Sequence, residues 1–178
     1  MRKLKNSELN RISVEEFKKI NKIPIVIILD NIRSLNNIGS VFRTADAFSI
    51  DSIFLCGITA KPPHREIQKT ALGATESVCW KYFENTQDAI DYLKNDNYNI
   101  YAVEQAEGSI SLENIVPDIN KKIALIFGNE VKGVDSDIMN IIDDCIEIPQ
   151  FGTKHSLNIS VSVGIVLWEI LKKFKFKA

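Results

Sequence analysis

Three polar stretches, each next to an apolar run, hold most of the residues able to do chemistry. In the first, Asn36-Asn37-Ile38-Gly39 leads to Arg43-Thr44. In the second, Phe127-Gly128-Asn129-Glu130-Val131-Lys132-Gly133 sets an amide, a carboxylate and an amine between glycines. The third begins at Ile146-Glu147-Ile148-Pro149, passes through a glycine-bearing loop, and reaches Ser156-Leu157-Asn158-Ile159-Ser160, which is expected to open a long apolar helix. Helix N-termini offer unpaired N–H groups and a positive dipole end, so loops there hold ligands. Three such islands at one sheet edge would make one composite site. Such a site is expected to hold a ligand, and a hydrolase is disfavoured. The chain has only His64 and His155, and neither stands in a pattern that would activate Ser156 as a nucleophile. Cys56, Cys79 and Cys145 are widely spaced and form no CxxC pair, so neither a disulfide framework nor a metal site is expected.

The elements that must carry these islands follow from periodicity. Ile23–Leu29 is a continuous β-branched apolar run, the mark of a strand buried on both faces. Residues 37–48 carry apolar side chains at helical spacing (Ile38, Val41, Phe42, Ala45, Phe48), with Asn37 as a candidate cap and Arg43 off the apolar side. Further strands are expected at 52–56, 78–83, 99–104, 123–127 and 145–148. Helices are expected at 7–19, 65–72, 86–94 (capped by Thr86), 135–142 and 156–174. The first has a Ser13/Glu16 capping box. Strands alternating with helices predict an α/β fold, a mainly parallel sheet with helices on both faces. No linker divides the chain. Residues 1–22 read as an N-terminal helical extension and 23–178 as one domain.

With 178 residues and 45% apolar content the chain can bury a substantial core. No stretch is long and apolar enough for a membrane span, and no apolar signal core follows the basic Met1-Arg2-Lys3-Leu4-Lys5, so a cytoplasmic protein is expected. The net charge of −1 conceals basic ends: residues 1–22 carry seven Lys or Arg against three Glu, and Lys172–Lys177 carries four lysines and no acid. Basic ends on an acidic body can grip a polyanion; solvated, tolerant termini explain them equally simply.

Together and in order, the three islands resemble the SpoU/TrmH branch of the SPOUT methyltransferases, over about residues 24–171. The resemblance implies an α/β domain with a C-terminal deep trefoil knot, a homodimer whose active site draws on both subunits, and S-adenosyl-L-methionine as cofactor, with no metal. It implies methylation of the ribose 2′-oxygen of RNA. It places Arg43, Asn37, Glu130, Ser156 and Asn158 in the catalytic site, and Gly128, Ile148 and Leu157 at the cofactor, closed on the other side by Glu104 and Gln105. Glycine at 128 is expected to let the backbone approach the ligand. Glu130 is expected to pair with Arg43 of the same or the other subunit. Arg43 would clamp a phosphate and orient the hydroxyl, since a guanidinium is a poor base. RNA contact would fall on Arg33, Arg43, Lys61, Arg65, Lys132, Lys154 and the basic ends. Gln150 departs from the methionine common in relatives. With Glu104-Gln105 and Pro149 it resembles the C-terminal domain of eukaryotic tRNA guanosine 2′-O-methyltransferases. That favours tRNA, a D-loop guanosine, over rRNA. Two other classes stand beside this one. A catalytically silent RNA-binding protein of the same fold is disfavoured by the intact polar set, and a dinucleotide oxidoreductase by the lack of GxGxxG after the first strand.

Overall fold

A run of Ile, Val and Leu without polar alternation is stable only when both of its faces are covered, and Ile23–Asp30 meets that condition: almost every residue in it is buried. The computed structural model describes residues 1–118 and 121–175. In chain order the strands are β1 (Ile23–Asp30), β2 (Ile50–Cys56), β3 (Cys79–Phe83), β4 (Tyr98–Val103), β5 (Ile110–Ser111), β6 (Lys122–Phe127) and β7 (Asp144–Glu147). The helices are α1 (Val14–Lys19), α2 (Leu35–Ala47), α3 (Arg65–Ala71), α4 (Ala74–Ser77), α5 (Thr86–Asn95), α6 (Ser136–Met139) and α7 (Ile159–Lys175).

The strands form one sheet in the order β3-β2-β1-β6-β4-β7-β5, with every pairing parallel. Alternate residues of β1 divide between two cores. Ile25, Ile27 and Leu29 face the side covered by α1, α2 and α7, where Phe17, Val41, Phe42, Val163, Val166 and Leu167 are buried. Val26 and Ile28 face the side of α5 and α6, with Ile90, Leu93 and Ile138. Helices therefore cover both faces. The register aligns Leu29, Val103 and Ile146 with one row across the sheet, since Leu29 and Val103 both pair with Phe127 and Val103 also pairs with Ile146. Whatever follows β1, β4, β6 and β7 emerges at one edge, and this is the edge where open α/β sheets hold ligands.

Several boundaries differ from the sequence reading. The helix expected from Asn37 begins at Leu35, because Ser34 is its cap and accepts from the Asn37 N–H. The helix expected at Ser156 begins at Ile159: the Asn158 side chain accepts from the Ser160 N–H and hydroxyl, which leaves Ser156 and Leu157 in the preceding loop. Asn85, not Thr86, caps α5; the Thr86 hydroxyl is buried against Asp30. The helix expected over 7–19 splits into a 3-10 turn at Asn6–Glu8 and α1, where the Ser13/Glu16 capping box is formed. The helix expected over 135–142 shrinks to a single turn, with Asp135 as its cap. β5 and α4 are too short to have left a periodic signal.

Candidate active site

The backbone that leaves the aligned strand ends folds into a cleft of about 590 Å³, a size suited to a small-molecule cofactor. Glu104 and Gln105 come from the end of β4. Gly128, Asn129, Glu130, Val131, Lys132 and Gly133 come from the loop after β6. Ile148, Gln150, His155, Ser156, Leu157 and Asn158 come from the chain between β7 and α7. All five expected cofactor residues line this cleft, together with Glu130, Ser156 and Asn158.

Hydrogen bonds give the walls their shape. The β6 loop is pinched by reciprocal backbone bonds between Asn129 and Gly133. The Asn129 side chain accepts from the Val131 and Lys132 N–H groups and donates to the Asn31 carbonyl at 2.7 Å. Glu104 accepts from the N–H groups of Val134 and Gln105. Gln105 donates through Nε2 to the His155 carbonyl at 2.6 Å, tying the β4 end to the β7–α7 loop across the cleft. A Cβ at Gly128 would lie 2.2 Å from the Gly133 carbonyl carbon and the Val134 nitrogen. The bareness of Gly128 thus admits its own loop's backbone. Its main chain also lines the cleft, where a ligand would approach it.

Glu130 does not pair with Arg43 of its own chain. Its carboxylate accepts from the Arg33 and Ser34 N–H groups, at 3.2 and 3.3 Å, and from Asn37 Nδ2 at 3.4 Å. It sits at the N-terminus of α2, where unpaired donors and the dipole favour an anion. Burial pushes this carboxyl up, but the backbone and amide donors outweigh it and hold the group below the ordinary value of 4.5. Asn37 also accepts from Asn158 Nδ2 at 3.1 Å. Glu130, Asn37 and Asn158 therefore form one chain of side-chain bonds that joins all three polar islands.

Arg43 is the expected site residue that stands apart. It is exposed on α2 and lines a second groove, with Leu9–Val14 of the N-terminal segment, Asp46 and Leu72–Ala74. Among the described residues its guanidinium has no ion-pair partner. The Ser156 hydroxyl has no protein hydrogen-bond partner among them either, and it opens onto the cleft. The residues the sequence reading left out of the site, Asn129 and Gln105's anchor His155, act through loop geometry, which spacing does not encode. Of the expected RNA contacts at the C-terminus, Lys172 and Lys173 pair with Glu169, Lys173 also reaches the Glu113 and Ile115 carbonyls, and residues 176–178 lie outside the described residues. No group of three or more His, Cys, Asp or Glu among the described residues is arranged to hold a metal, and no described helix is long and apolar enough to cross a membrane.

The lining suits a small-molecule cofactor with apolar and polar parts. Val103, Phe127, Ile148, Leu157 and Ile159 supply apolar wall, and loop backbone supplies polar groups around it. Residues 24–168 match the model of the SpoU rRNA methylase family. The chain is 29% identical over 162 residues to a tRNA (guanosine(18)-2′-O)-methyltransferase of Borreliella burgdorferi, covering 91% of this chain and 72% of that one. Its fold superposes on the crystal structure of a TrmH/SpoU tRNA modifying enzyme of A. aeolicus with a TM-score of 0.81 at 26% identity, covering 92% and 82% of the two chains. An rRNA methyltransferase from Sinorhizobium meliloti, solved with S-adenosylmethionine bound, gives a TM-score of 0.77 at 29% identity; 86% of this chain is covered but only 58% of that one.

Proposed function

This chain belongs to the SpoU rRNA methylase family, as an S-adenosylmethionine-dependent RNA 2′-O-methyltransferase, and we propose that it methylates tRNA at a guanosine of the D-loop. The tRNA-specific names of its relatives in B. burgdorferi and A. aeolicus support this substrate. The observation that supports this reading is the cleft itself, lined by the second and third polar islands and tied to the first through Asn37, which bonds to Glu130 and Asn158.

S-adenosylmethionine, when bound, supplies a methyl group on a sulfonium leaving group, so alignment is the main demand on the protein. Ile148 and Leu157 would flank the adenine, with Gln105 and Glu104 closing the opposite side and the Gly128 main chain below. The Glu130–Asn37–Asn158 chain would hold the first turn of α2 against the cleft, and Ser156 would offer a free hydroxyl to the substrate. Arg43 would clamp a phosphate with two N–H groups and orient the ribose 2′-OH. Its charge makes it a poor proton acceptor, so a phosphate oxygen would take the proton.

Arg43 does not line its own chain's cofactor cleft. This supports a homodimer in which the site is completed by a second copy. So does the apolar stripe Leu157, Val161, Ile165 and Trp168, exposed along one side of α7 and its approach. The insertion of β7 between β4 and β5, which are joined by residues 104–109, supports a threaded C-terminal trefoil knot. Residues 23–178 would form the methyltransferase domain and 1–22 a helical extension, in a cytoplasmic protein.

The test is twofold. Calorimetry should show binding of S-adenosylhomocysteine, and labelled methyl should pass to an unmodified tRNA transcript and map to a D-loop ribose. Arg43→Ala should lower transfer roughly 100-fold or more, the penalty of a lost alignment, with the S-adenosylhomocysteine affinity unchanged. Near-normal transfer by Arg43→Ala would remove it from the mechanism; transfer to rRNA alone would replace the substrate.

A further inference from the structure

We propose that Asn31 is a positioning residue of the cleft: it holds the β6 loop, and Glu130 with it, in register with the N-terminus of α2. This rests on the methyltransferase reading and adds to it a residue that does not itself line the cleft. Asn31 directly follows β1 and is half-buried. Its φ of 56° lies in the left-handed region, which asparagine adopts more readily than other residues with a side chain.

Each polar atom of Asn31 is engaged, and the partners come from different segments. Its N–H donates to the Cys56 carbonyl at the end of β2, at 3.2 Å. Its Oδ1 accepts from the Ile58 N–H at 3.1 Å. Its Nδ2 donates to Asp30 at 2.8 Å. Asp30, only 2% exposed, also accepts from the Thr86 hydroxyl at the start of α5. A Cβ at Gly57 would lie 2.1 Å from Asn31 Oδ1, so the turn after β2 is shaped to admit this amide. With N–H, φ and side chain fixed, the Asn31 carbonyl is aimed at the β6 loop, where it accepts from Asn129 Nδ2 at 2.7 Å.

That last bond stands next to the chemistry. Asn129 precedes Glu130, and the Arg33 and Ser34 N–H groups that Glu130 takes follow shortly after Asn31. The bonds close a small ring. It runs from the Asn31 carbonyl to the Asn129 side chain, along the chain to Glu130, across to the Arg33 N–H, and back along the chain to Asn31. Glu130 makes its own contacts at 3.2 to 3.4 Å, the long end of the hydrogen-bond range. The 2.7 Å bond to Asn31 is the shortest link, so Asn31 supplies the fixed point. The same Asn129 side chain accepts from the Val131 and Lys132 N–H groups. One amide therefore folds the cleft wall and ties it to β1. A misplacement of about 1 Å in such a wall can cost roughly 100-fold in rate.

Asn31→Gly tolerates the backbone conformation and removes only the side-chain bonds. In the full protein it should weaken S-adenosylhomocysteine binding roughly tenfold. It should lower kcat on a tRNA transcript, at saturating cofactor and RNA, roughly tenfold or more, and speed hydrogen exchange at the Val131 and Lys132 amides. Asn129→Asp keeps the acceptor for those amides but loses the donor to the Asn31 carbonyl, and it should do the same. The double variant should be no worse than the worse single one, because both cut one link. Asn31→Asp alone sets two carboxyl groups side by side and should stay impaired. Combined with Asp30→Asn it restores an amide opposite a carboxylate and should recover most of the activity. Wild-type affinity and kcat in Asn31→Gly, or losses that multiply in the double variant, would overturn the proposal. So would a lowered melting temperature without the local changes, which would make Asn31 a structural residue only. If the wild type transfers no methyl, the methyltransferase reading falls and hydrogen exchange decides alone: faster exchange at Val131 and Lys132 in Asn31→Gly upholds the positioning role, and unchanged protection ends it.

Discussion

The Glu130 carboxylate ties the chemistry of the cleft to the folding of its neighbourhood. Removing it leaves the Arg33 and Ser34 N–H groups and the Asn37 amide without an acceptor, so Glu130→Ala should loosen the first turn of α2. The pH consequence has a definite sign. The group's folded value lies below 4.5, so its stabilisation is complete above about 4.5 and disappears as pH falls through the lower folded value. Melting temperatures measured from pH 7 down to pH 3.5 should show the wild type's advantage over Glu130→Gln shrinking below pH 4.5. A gap that stays constant would mean that the charge contributes nothing. Legibility at this scale was uneven. The three islands were legible as one composite site, and the resemblance singled out Asn37, Glu130, Ser156 and Asn158 within them. Their partners were not legible: Glu130 invited pairing with Arg43, whereas within its own chain helix-end donors take it. A backbone N–H has no letter in the sequence.

At the scale of elements, α2 is the piece whose placement matters most, since it carries both Asn37 and Arg43. It packs on α3 through Gly39, where an added Cβ would lie 2.1 Å from Thr70 Oγ1 and 2.2 Å from the Ile67 carbonyl oxygen. No rotamer change relieves a clash with backbone. Gly39→Ala should therefore cost about 1–3 kcal/mol or more, read as a lower midpoint in urea, and should reduce methyl transfer beyond the loss of folded protein. Unchanged stability would mean that α3 can shift freely. The apolar spacing of α2 and the capping box of α1 were plain in the sequence because periodicity and caps are local. The start of α7 was misread because Ser156 and Asn158 are equally good caps by type, and only the bonds from Ser160 to Asn158 decide between them. β5, two residues long, has no period to read.

For the whole molecule, the α/β class and parallel sheet followed from the alternation of buried runs with amphipathic ones. The strand order did not, because nothing in Cys145–Ile148 announces that it must lie between two earlier strands. The exposed side of α7 carries the clearest prediction at this scale. Val161 and Trp168 are 49% and 52% exposed, too apolar for a helix left facing water along its length. Replacing both with glutamate should convert a dimer to a monomer in sedimentation and abolish transfer while the fold persists. A wild type that sediments as a monomer at micromolar concentration would refute the stripe as an interface. The position of β7 has a consequence of a different kind. The polypeptide emerges from the ribosome with β4 and β5 complete before β7 exists, and these two strands never pair with each other. The place between them is filled only by β7, and most of the cleft's lining follows β6 in the chain, so a nascent chain halted after β6 can have no place for the methyl donor.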